Sequence, residues 1–257
     1  MPTNVIPSPT KRTKRLRVFA GPNGSGKSSV FQLIAEHLHG GAYVNADDLQ
    51  RNLETSEGVP LSLFLPSLSG DDFQAFYSEH PMHAGGEIPF PFAVHQDGRL
   101  TFAETCDHSR SPSGATAILA DYLLTRLIEA GEDVAFEAVS AHPSEVSLMR
   151  RAKELGYRVT LYYVCVATPE INKQRVALRV TQGGVGVPDA VVVAEYERSL
   201  SLLKEAVALA DRAYLFDNTY TGASLKLEIN HAVDVIAHEP VLPDWLTRSL
   251  PALVAKQ

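Results

Sequence analysis

The sequence predicts an α/β fold in which a parallel sheet is flanked by helices, and three observations support this prediction. Apolar segments of strand length alternate with segments of helical spacing along most of the 257 residues. A glycine-rich segment joins the first apolar segment to the first helical one. With 45% hydrophobic and 21% charged residues, the chain has the composition of one large globular domain, or of one domain with an insertion.

The glycine-rich segment, residues 21–29, matches the phosphate-binding loop pattern G-x-x-x-x-G-K-S/T of P-loop NTPases. The apolar segment 16–20 precedes it, and apolar residues at helical spacing follow it: Val30, Phe31, Ile34 and Leu38. Glycines let backbone N–H groups point at an anion, and the helix dipole adds positive potential. The alternative is a glycine-rich turn before an ordinary helix. We expect a nucleotide triphosphate to be bound by Gly21, Pro22, Asn23, Gly24, Ser25, Gly26, Lys27, Ser28 and Ser29.

Two residues of this loop have individual roles in the prediction. Lys27 is expected to reach the β- and γ-phosphates, and Ser28 to hold Mg²⁺. The predicted cofactors are therefore ATP and Mg²⁺.

Two adjacent carboxylates follow the second predicted strand, residues 41–45. Open α/β sheets bind their ligands at the carboxyl ends of the strands, so Asp47 is expected near the transferable phosphate. A general base for an acceptor hydroxyl belongs at that position. Asp47 and Asp48 are both also good helix N-caps. We favour Asp47 as the base and expect Asp48 beside it, on the acceptor side.

Residues 54–113 interrupt the alternation with several prolines and glycines and are interpreted as an insertion after the second strand. A short helix is predicted over 71–80, and Asp97-Gly98 predicts a two-residue hairpin between 92–96 and 99–103. The segment also contains four histidines whose spacing matches no metal-binding template, so we interpret them as surface or acceptor-site residues: His80, His83, His95 and His108.

The second half of the chain resumes the alternation of helices and strands. Helices are predicted from 113 to 130 and from 143 to 155, with strands at 133–137, 158–167 and 213–216. Cys165 lies in the apolar segment 158–167 and is expected in the core. Glu137 ends its strand, where a carboxylate could bind Mg²⁺ through water or contact the acceptor, unless it is an ordinary charge at a strand end.

Residues 168–200 have the form of a helical kinase lid. Thr168 predicts a capping hydroxyl, and Pro169 a first helical turn. Arg175 and Arg179 lie four residues apart, hence on one helix face, and could close over the phosphates. The alternative is a pair of solvated surface arginines. Glycines separate this helix from a second one over 188–210.

The remaining features of the sequence limit the classes of protein to which the chain can belong. Residues 225–236 are expected to form a strand, and 243–254 a short helix with Trp245. Residues 1–14 are expected to be a flexible basic tail, and 15–257 a single domain. The net charge of −7 disfavours a nucleic-acid partner. With no membrane span, no signal peptide and only two cysteines, we expect a cytoplasmic protein without disulfides.

Several blocks in order resemble the zeta toxin family of P-loop kinases and its predicted-ATPase subgroup. They are GPNGSGKSS (21–29), YVNADDL (43–49), LIEAGEDVAFEAVSAHPS (127–144), RRAKELGYRVTLYYV (150–164), RVALRVTQGG (175–184), VPDAVVVAEYERSLSLL (187–203) and ADRAYLFDNT (210–219). The resemblance implies an adenylate-kinase-like core that transfers phosphate from ATP, with Mg²⁺, to a hydroxyl of UDP-N-acetylglucosamine. It also implies an antitoxin protein as partner.

By this resemblance, Asp47 is the base, Glu137 belongs to the acceptor side, and Arg175 and Arg179 are lid arginines. Asp217 and Asn218 would lie near the nucleotide base.

The sequence also departs from the family pattern at three positions. Val185 replaces a histidine, Glu195 replaces an arginine whose contribution would pass to Arg198 or be missing, and Ala138 replaces a threonine. These departures affect phosphate clamping and acceptor contacts more than nucleotide binding.

The favoured interpretation is an ATP-dependent kinase with a small-molecule alcohol acceptor such as a sugar nucleotide. One alternative is a nucleotide-binding switch or degenerate kinase that acts through a protein partner, to which the changes at Val185 and Glu195 point. Another is a kinase acting on nucleic-acid ends, which the net charge of −7 disfavours.

Overall fold

The structure is a computed structural model, and it describes residues 12–38, 40–84, 91–106, 112–138, 143–184 and 186–255. Most of the predicted basic tail, together with Val185, His108 and His142, lies outside the described residues, as does the side chain of His83.

The described residues form ten strands and ten α-helices. The strands are β1 (Arg15–Ala20), β2 (Ala42–Asn45), β3 (Val59–Pro60), β4 (Phe92–Val94), β5 (Arg99–Phe102), β6 (Val134–Glu137), β7 (Arg158–Cys165), β8 (Arg212–Asp217), β9 (Ser224–Asn230) and β10 (Asp234–Ala237). The helices are α1 (Lys27–Ala35), α2 (Ala46–Leu53), α3 (Gly70–Glu79), α4 (Pro81–Ala84), α5 (Ser113–Ala130), α6 (Pro143–Glu154), α7 (Pro169–Thr181), α8 (Asp189–Leu209), α9 (Asp244–Ser249) and α10 (Pro251–Val254).

Seven strands form the central sheet, in the order β10-β9-β8-β7-β1-β6-β2. The five strands from β8 to β2 are parallel, which confirms the predicted α/β class. The edge strands β9 and β10 are antiparallel, so the sheet is mostly rather than wholly parallel. The prediction of a single strand over 225–236 is wrong. The chain forms two strands there, β9 and β10, because His231 and Ala232 adopt positive φ and turn the chain back on itself.

Alternation along β1 directs side chains to both faces of the sheet. Leu16 and Val18 belong to the main core cluster, which also contains residues of α5, α6 and α8. Phe19 points to the opposite face, where its ring meets Phe31 of α1 with the centroids 5.1 Å apart. The sheet is therefore covered by helices on both faces, and the carboxyl ends of its parallel strands share one edge.

The insertion contains a second sheet of three antiparallel strands, in the order β3-β5-β4. The hairpin predicted around Asp97-Gly98 and the helix predicted over 71–80 both form, as β4, β5 and α3. Phe73 and Leu100 are fully buried in the main core cluster, so the insertion is packed onto the body of the protein.

Among the described residues, no helix has the length and apolar character needed to cross a membrane. Both cysteines are free thiols, and Cys165 lies fully buried in the core as predicted.

Candidate active site

A cavity of about 370 Å³ opens at the carboxyl edge of the parallel strands. Its described walls come from the glycine-rich loop, the start of α1, the ends of β2 and β6, the lid helix α7 and the segment after β8. The lining residues are Asn23, Gly24, Gly26, Lys27, Ser28, Ser29, Asn45, Asp47, Glu137, Arg175, Arg179 and Asn218.

The glycine-rich loop adopts a shape that only glycines allow at three of its positions, and two of them show this most clearly. Gly21 and Gly26 have φ values of 136° and 97°. A Cβ at Gly21 would lie 2.0 Å from the carbonyl oxygen of Val164, and one at Gly26 would lie 2.2 Å from Nδ2 of Asn218. The helix α1 that follows has no side-chain cap and no acidic residue in its first turn. Its N-terminus is therefore suited to an anion.

Lys27 lies buried inside the loop. Its Nζ donates to the carbonyl oxygens of Gly21 at 2.9 Å and Pro22 at 3.2 Å. Burial lowers the pKa of Lys27, and the nearby carboxylates of Glu137 and Asp47 oppose this shift. A bound phosphate would offer the ammonium a negative partner in place of two neutral carbonyls.

Glu137 connects the start of α1 to β2. Its Oε2 accepts a hydrogen bond from Ser28 Oγ at 3.0 Å, and its Oε1 accepts one from the Tyr43 hydroxyl at 2.5 Å. Burial, together with this hydrogen bond, raises the pKa of Tyr43, so its hydroxyl remains protonated and continues to donate.

The oxygen donors of Ser28 and Glu137 fit the preference of Mg²⁺ for hydroxyl and carboxylate ligands. Among the described residues, no group of three or more His, Cys, Asp or Glu side chains could hold a metal ion. Nucleotide-bound Mg²⁺ usually takes only one or two protein oxygens, and the remaining ligands are phosphate and water.

The two carboxylates after β2 have different surroundings. Asp47 lines the cavity, and its Oδ2 lies 2.9 Å from Arg179 Nη1. Asp48 is paired with Arg51 on the same helix and is not among the lining residues. Neither residue is the N-cap of α2 as the sequence suggested. Asn45 is the cap, because its Oδ1 accepts from the backbone N–H groups of both aspartates.

The two predicted lid arginines both face the cavity from α7. Arg175 donates from Nη2 to the carbonyl oxygen of Asn218 at 2.7 Å. Its Nη1 is buried and has no hydrogen-bond partner among the described residues, as expected for a group that meets an anion. Arg198 instead lies exposed on α8, outside the cavity lining. The predicted capping hydrogen bond from the Thr168 side chain is absent, although Thr168 does hold the N-cap position.

Two further residues hold α7 and α8 against the loop, and the sequence interpretation assigned neither of them this role. Asn172, fully buried on α7, donates from Nδ2 to the Asn23 carbonyl oxygen at 2.6 Å. Glu195 on α8 accepts at 2.7 Å from the Asn23 side chain. Helical spacing places Asn172 on the face shared by Arg175 and Arg179, and this pattern could have revealed it.

Asp217 and Asn218, which were both predicted near the nucleotide base, have different surroundings in the structure. Asn218 lines the cavity and donates from Nδ2 to the Ser25 carbonyl oxygen at 2.8 Å. The buried Asp217 carboxylate accepts from Trp245 Nε1 at 2.7 Å and is not among the lining residues. None of the described residues of the insertion 54–113 lines the cavity either.

Comparison with known proteins agrees with this architecture. The zeta toxin family model matches residues 103–220. No curated protein sequence matches the chain. Among solved structures, a chain of the AvrRxo1-ORF1:AvrRxo1-ORF2 complex with sulphate ions aligns with a TM-score of 0.53 and 16% identity. The alignment covers 89% of this chain and 62% of the other, so the chain spans less than two thirds of that relative.

Two further structures can be compared. The AvrRxo1-ORF1:-ORF2 complex with ATP aligns with a TM-score of 0.51 and 16% identity, over 88% of this chain and 61% of the other. The PezAT toxin-antitoxin system of Streptococcus pneumoniae aligns with a TM-score of 0.47 and 14% identity, over 98% and 89%. The match of the family model over residues 103–220 confirms the resemblance to zeta toxin family P-loop kinases seen in the sequence, and the AvrRxo1 structures show a shared fold.

Proposed function

We propose that the chain is an ATP-dependent kinase that transfers the γ-phosphoryl group to a hydroxyl of a small molecule. One observation carries this proposal. Three cationic side chains, those of Lys27, Arg175 and Arg179, line a single cavity at the N-terminus of α1 together with two carboxylates, Glu137 and Asp47, of which Asp47 is the proposed base. A site that only held a nucleotide would need the cations, whereas a transfer site also needs a carboxylate that can take a proton.

Phosphate binding would use the loop amides, the α1 N-terminus and Lys27, whose hydrogen-bond partners among the described residues are two carbonyl oxygens. Arg175 and Arg179 would neutralise charge that develops on the transferred group. In this proposal Ser28 and Glu137 hold Mg²⁺, which supplies further neutralisation of the β- and γ-phosphate oxygens. Asn218 would contribute to the nucleotide side of the cavity, next to the loop residue Ser25.

In the transfer step, the acceptor hydroxyl oxygen forms a bond to the γ-phosphorus while the bond from that phosphorus to the β,γ-bridging oxygen breaks. The hydroxyl proton goes to Asp47, and the bridging oxygen leaves with ADP. Asp47 is exposed to the cavity, so it can reach such a proton once Arg179 turns to the phosphates.

The acceptor we propose is a sugar nucleotide such as UDP-N-acetylglucosamine, on the basis of the family resemblance. Glu137 can reach an acceptor as well as a metal, because it lines the cavity. The described cavity contains neither Asp48 nor Arg198, so the acceptor contacts expected of these two residues are not part of this proposal.

A protein partner is also part of the proposal. The AvrRxo1-ORF1:AvrRxo1-ORF2 structure is a complex of two proteins, and one of its chains shares the fold of the present chain. An antitoxin-like protein that blocks the cavity would restrain such a kinase.

A second candidate is a nucleotide-binding switch or degenerate kinase that acts through a protein partner. The contact between Glu195 and Asn23 favours it, because it places a carboxylate at the tip of the loop where the family pattern has an arginine. Such a carboxylate repels the phosphates that an arginine would attract.

One experiment separates the two candidates. The purified chain is incubated with ATP, Mg²⁺ and a panel of sugar nucleotides and related alcohols, and products are identified by mass spectrometry. A phosphorylated acceptor that is missing with Asp47→Asn supports the kinase. ATP turnover that does not depend on any acceptor, with no phosphorylated product, would contradict it and favour the switch.

A further inference from the structure

A continuous chain of hydrogen bonds runs along one wall of the cavity. Ser28 donates to Glu137, and the Tyr43 hydroxyl donates to the other oxygen of that carboxylate. Asn45 Nδ2 donates to the Tyr43 oxygen at 3.1 Å. Asn45 Oδ1 then accepts from the backbone N–H of Asp47 at 2.9 Å. The chain therefore connects the loop serine to the helix start that bears Asp47.

Strand register explains how these groups come together. β2 and β6 are parallel, with Asn45 paired to Glu137. Because side chains alternate along a strand, Tyr43 and Asn45 point to the same face as Glu137. The Tyr43 ring is held there by stacking on Phe31 of α1, with centroids 3.9 Å apart. Each member of the chain is therefore fixed by secondary structure or by packing.

We propose that Tyr43 and Asn45 are positioning residues that set the carboxylate of Glu137 and the start of α2 in one fixed geometry. This inference rests on the proposed function. Glu137 and Ser28 form the metal side of the site, and Asp47 forms the base side. The hydrogen-bonded chain thus fixes the distance between the metal side and the base. Losing the Tyr43 hydrogen bond is expected to weaken metal binding, and losing the Asn45 hydrogen bonds is expected to displace the base.

Outer-shell partners of this kind typically change metal affinity by about 10- to 100-fold when they are removed. Tyr43→Phe removes the hydroxyl and keeps the ring on Phe31. Asn45→Ser retains an oxygen that can cap α2 and loses the amide that reaches Tyr43. Tyr162→Phe is the matched control, because Tyr162 stacks on Phe19 of the same sheet face. Its hydroxyl has no hydrogen bond to the site among the described residues.

The test is titration calorimetry of ATP, with and without Mg²⁺, and steady-state kinetics of ATP turnover, on the wild type and the three variants, together with their melting temperatures. For Tyr43→Phe we expect metal-free ATP affinity within about two-fold of wild type, and a gain in affinity from Mg²⁺ that is about ten-fold smaller. Asn45→Ser is expected to keep most of the Mg²⁺ gain and to lower kcat more than it raises KM for ATP. Tyr162→Phe should match the wild type in both measurements.

The outcomes distinguish the inference from the proposed function. If the wild type binds Mg²⁺·ATP and Tyr43→Phe shows the same Mg²⁺ gain, the positioning role is refuted and the kinase proposal stands. Equal losses with and without Mg²⁺, or a loss that follows a lowered melting temperature in both Tyr43→Phe and Asn45→Ser, would show a structural role only. If the wild type binds no ATP at all, both proposals fail.

Discussion

Arg179 of α7 and Asp47 of α2 form an ion pair across the cavity, with Nη1 and Oδ2 2.9 Å apart. Their side chains are 36% and 48% exposed, and pairs this exposed contribute only about 0.2–1 kcal/mol. A triphosphate can therefore replace Asp47 as the partner of Arg179 at little cost. The proposed lid arginine and the proposed base thus hold each other until the nucleotide arrives.

Replacing Asp47 by Asn should lower kcat by about 10²–10⁴, the usual contribution of a general base. Affinity for ATP should change little, because the loop and Lys27 remain. Product formation and calorimetric ATP binding check this expectation. Asp48→Asn is the matched control, since Asp48 pairs with Arg51 and does not line the described cavity. Equal losses in both variants would argue against Asp47 as the base.

Replacing Arg175 or Arg179 by Ala should lower kcat by about 10²–10³, the effect of removing one charge-stabilising donor. Both side chains line the cavity, whereas Arg198 lies exposed on α8. Arg198→Ala should therefore retain near wild-type kcat. Steady-state kinetics with varied ATP separate the loss in kcat from any rise in KM. An unchanged kcat in both α7 variants would show that Arg175 and Arg179 are ordinary surface residues.

Removing the ammonium in Lys27→Ala should abolish measurable transfer, a loss of at least about 10² in kcat, while the protein stays folded. The lost contacts are two hydrogen bonds to loop carbonyls, so the circular dichroism spectrum should be preserved. Lys204→Ala, on an exposed part of α8, is the control. Turnover at the wild-type rate in Lys27→Ala would overturn the phosphate-loop assignment.

The hydrogen bond from Trp245 to Asp217 should matter for stability rather than for chemistry. Both side chains are buried, and Asp217→Ala leaves the indole N–H unpaired, which costs about 1–3 kcal/mol. Urea unfolding followed by fluorescence measures the loss directly, because Trp245 is the single tryptophan. Asp234→Ala, exposed at the edge strand, should change stability little. If Asp217→Ala lowered kcat without lowering stability, Asp217 would have a role in the active site.

Attachment of the insertion should depend on pH through Asp72. Arg126 of α5 donates to both of its carboxylate oxygens, at 2.8 and 2.9 Å, and these bonds hold the pKa of Asp72 below its usual value. A depressed pKa contributes stability above the ordinary Asp value of about 3.9, and that stability is lost as the pH falls through the folded-state pKa. Asp72 is 42% exposed, so screening keeps the contribution below about 1 kcal/mol.

The corresponding experiment compares urea unfolding of the wild type, Asp72→Asn and the neighbouring control Asp71→Asn from pH 7 down to pH 3. The stability difference between the wild type and Asp72→Asn should shrink below about pH 4. A difference that stays constant over this range would show that the ionised form of Asp72 is not what stabilises the contact.

Several elements were predictable because their signals are local. The loop 21–29 depends on glycines and a lysine at fixed spacing, and the hairpin at Asp97-Gly98 depends on its turn residues. Helical spacing placed Arg175 and Arg179 on one face, and both do meet the cavity. Each of these features is determined by residues that lie within a few positions of it in the sequence.

Other features could not be predicted from the sequence alone. The family resemblance placed Asp217 near the nucleotide base, whereas its carboxylate accepts a hydrogen bond from Trp245, 28 residues further along the chain. Asp47 and Asp48 were considered as alternative caps of α2, whereas the cap is Asn45, two residues before Asp47. The antiparallel edge of the sheet follows from a turn at His231 and Ala232, and neither residue is a glycine that would have predicted a turn.

The sequence by itself determined the α/β class, the phosphate-binding loop and the identity of the charged groups that surround it. Spacing along a helix or strand is enough for these, since the backbone imposes periods of 3.6 and 2 residues. Only the tertiary structure decided which of those groups meet. Arg179 reaches Asp47 across 132 residues of chain, and Glu137 joins Ser28 to Tyr43, because the parallel register of β1, β6 and β2 brings their ends to one edge.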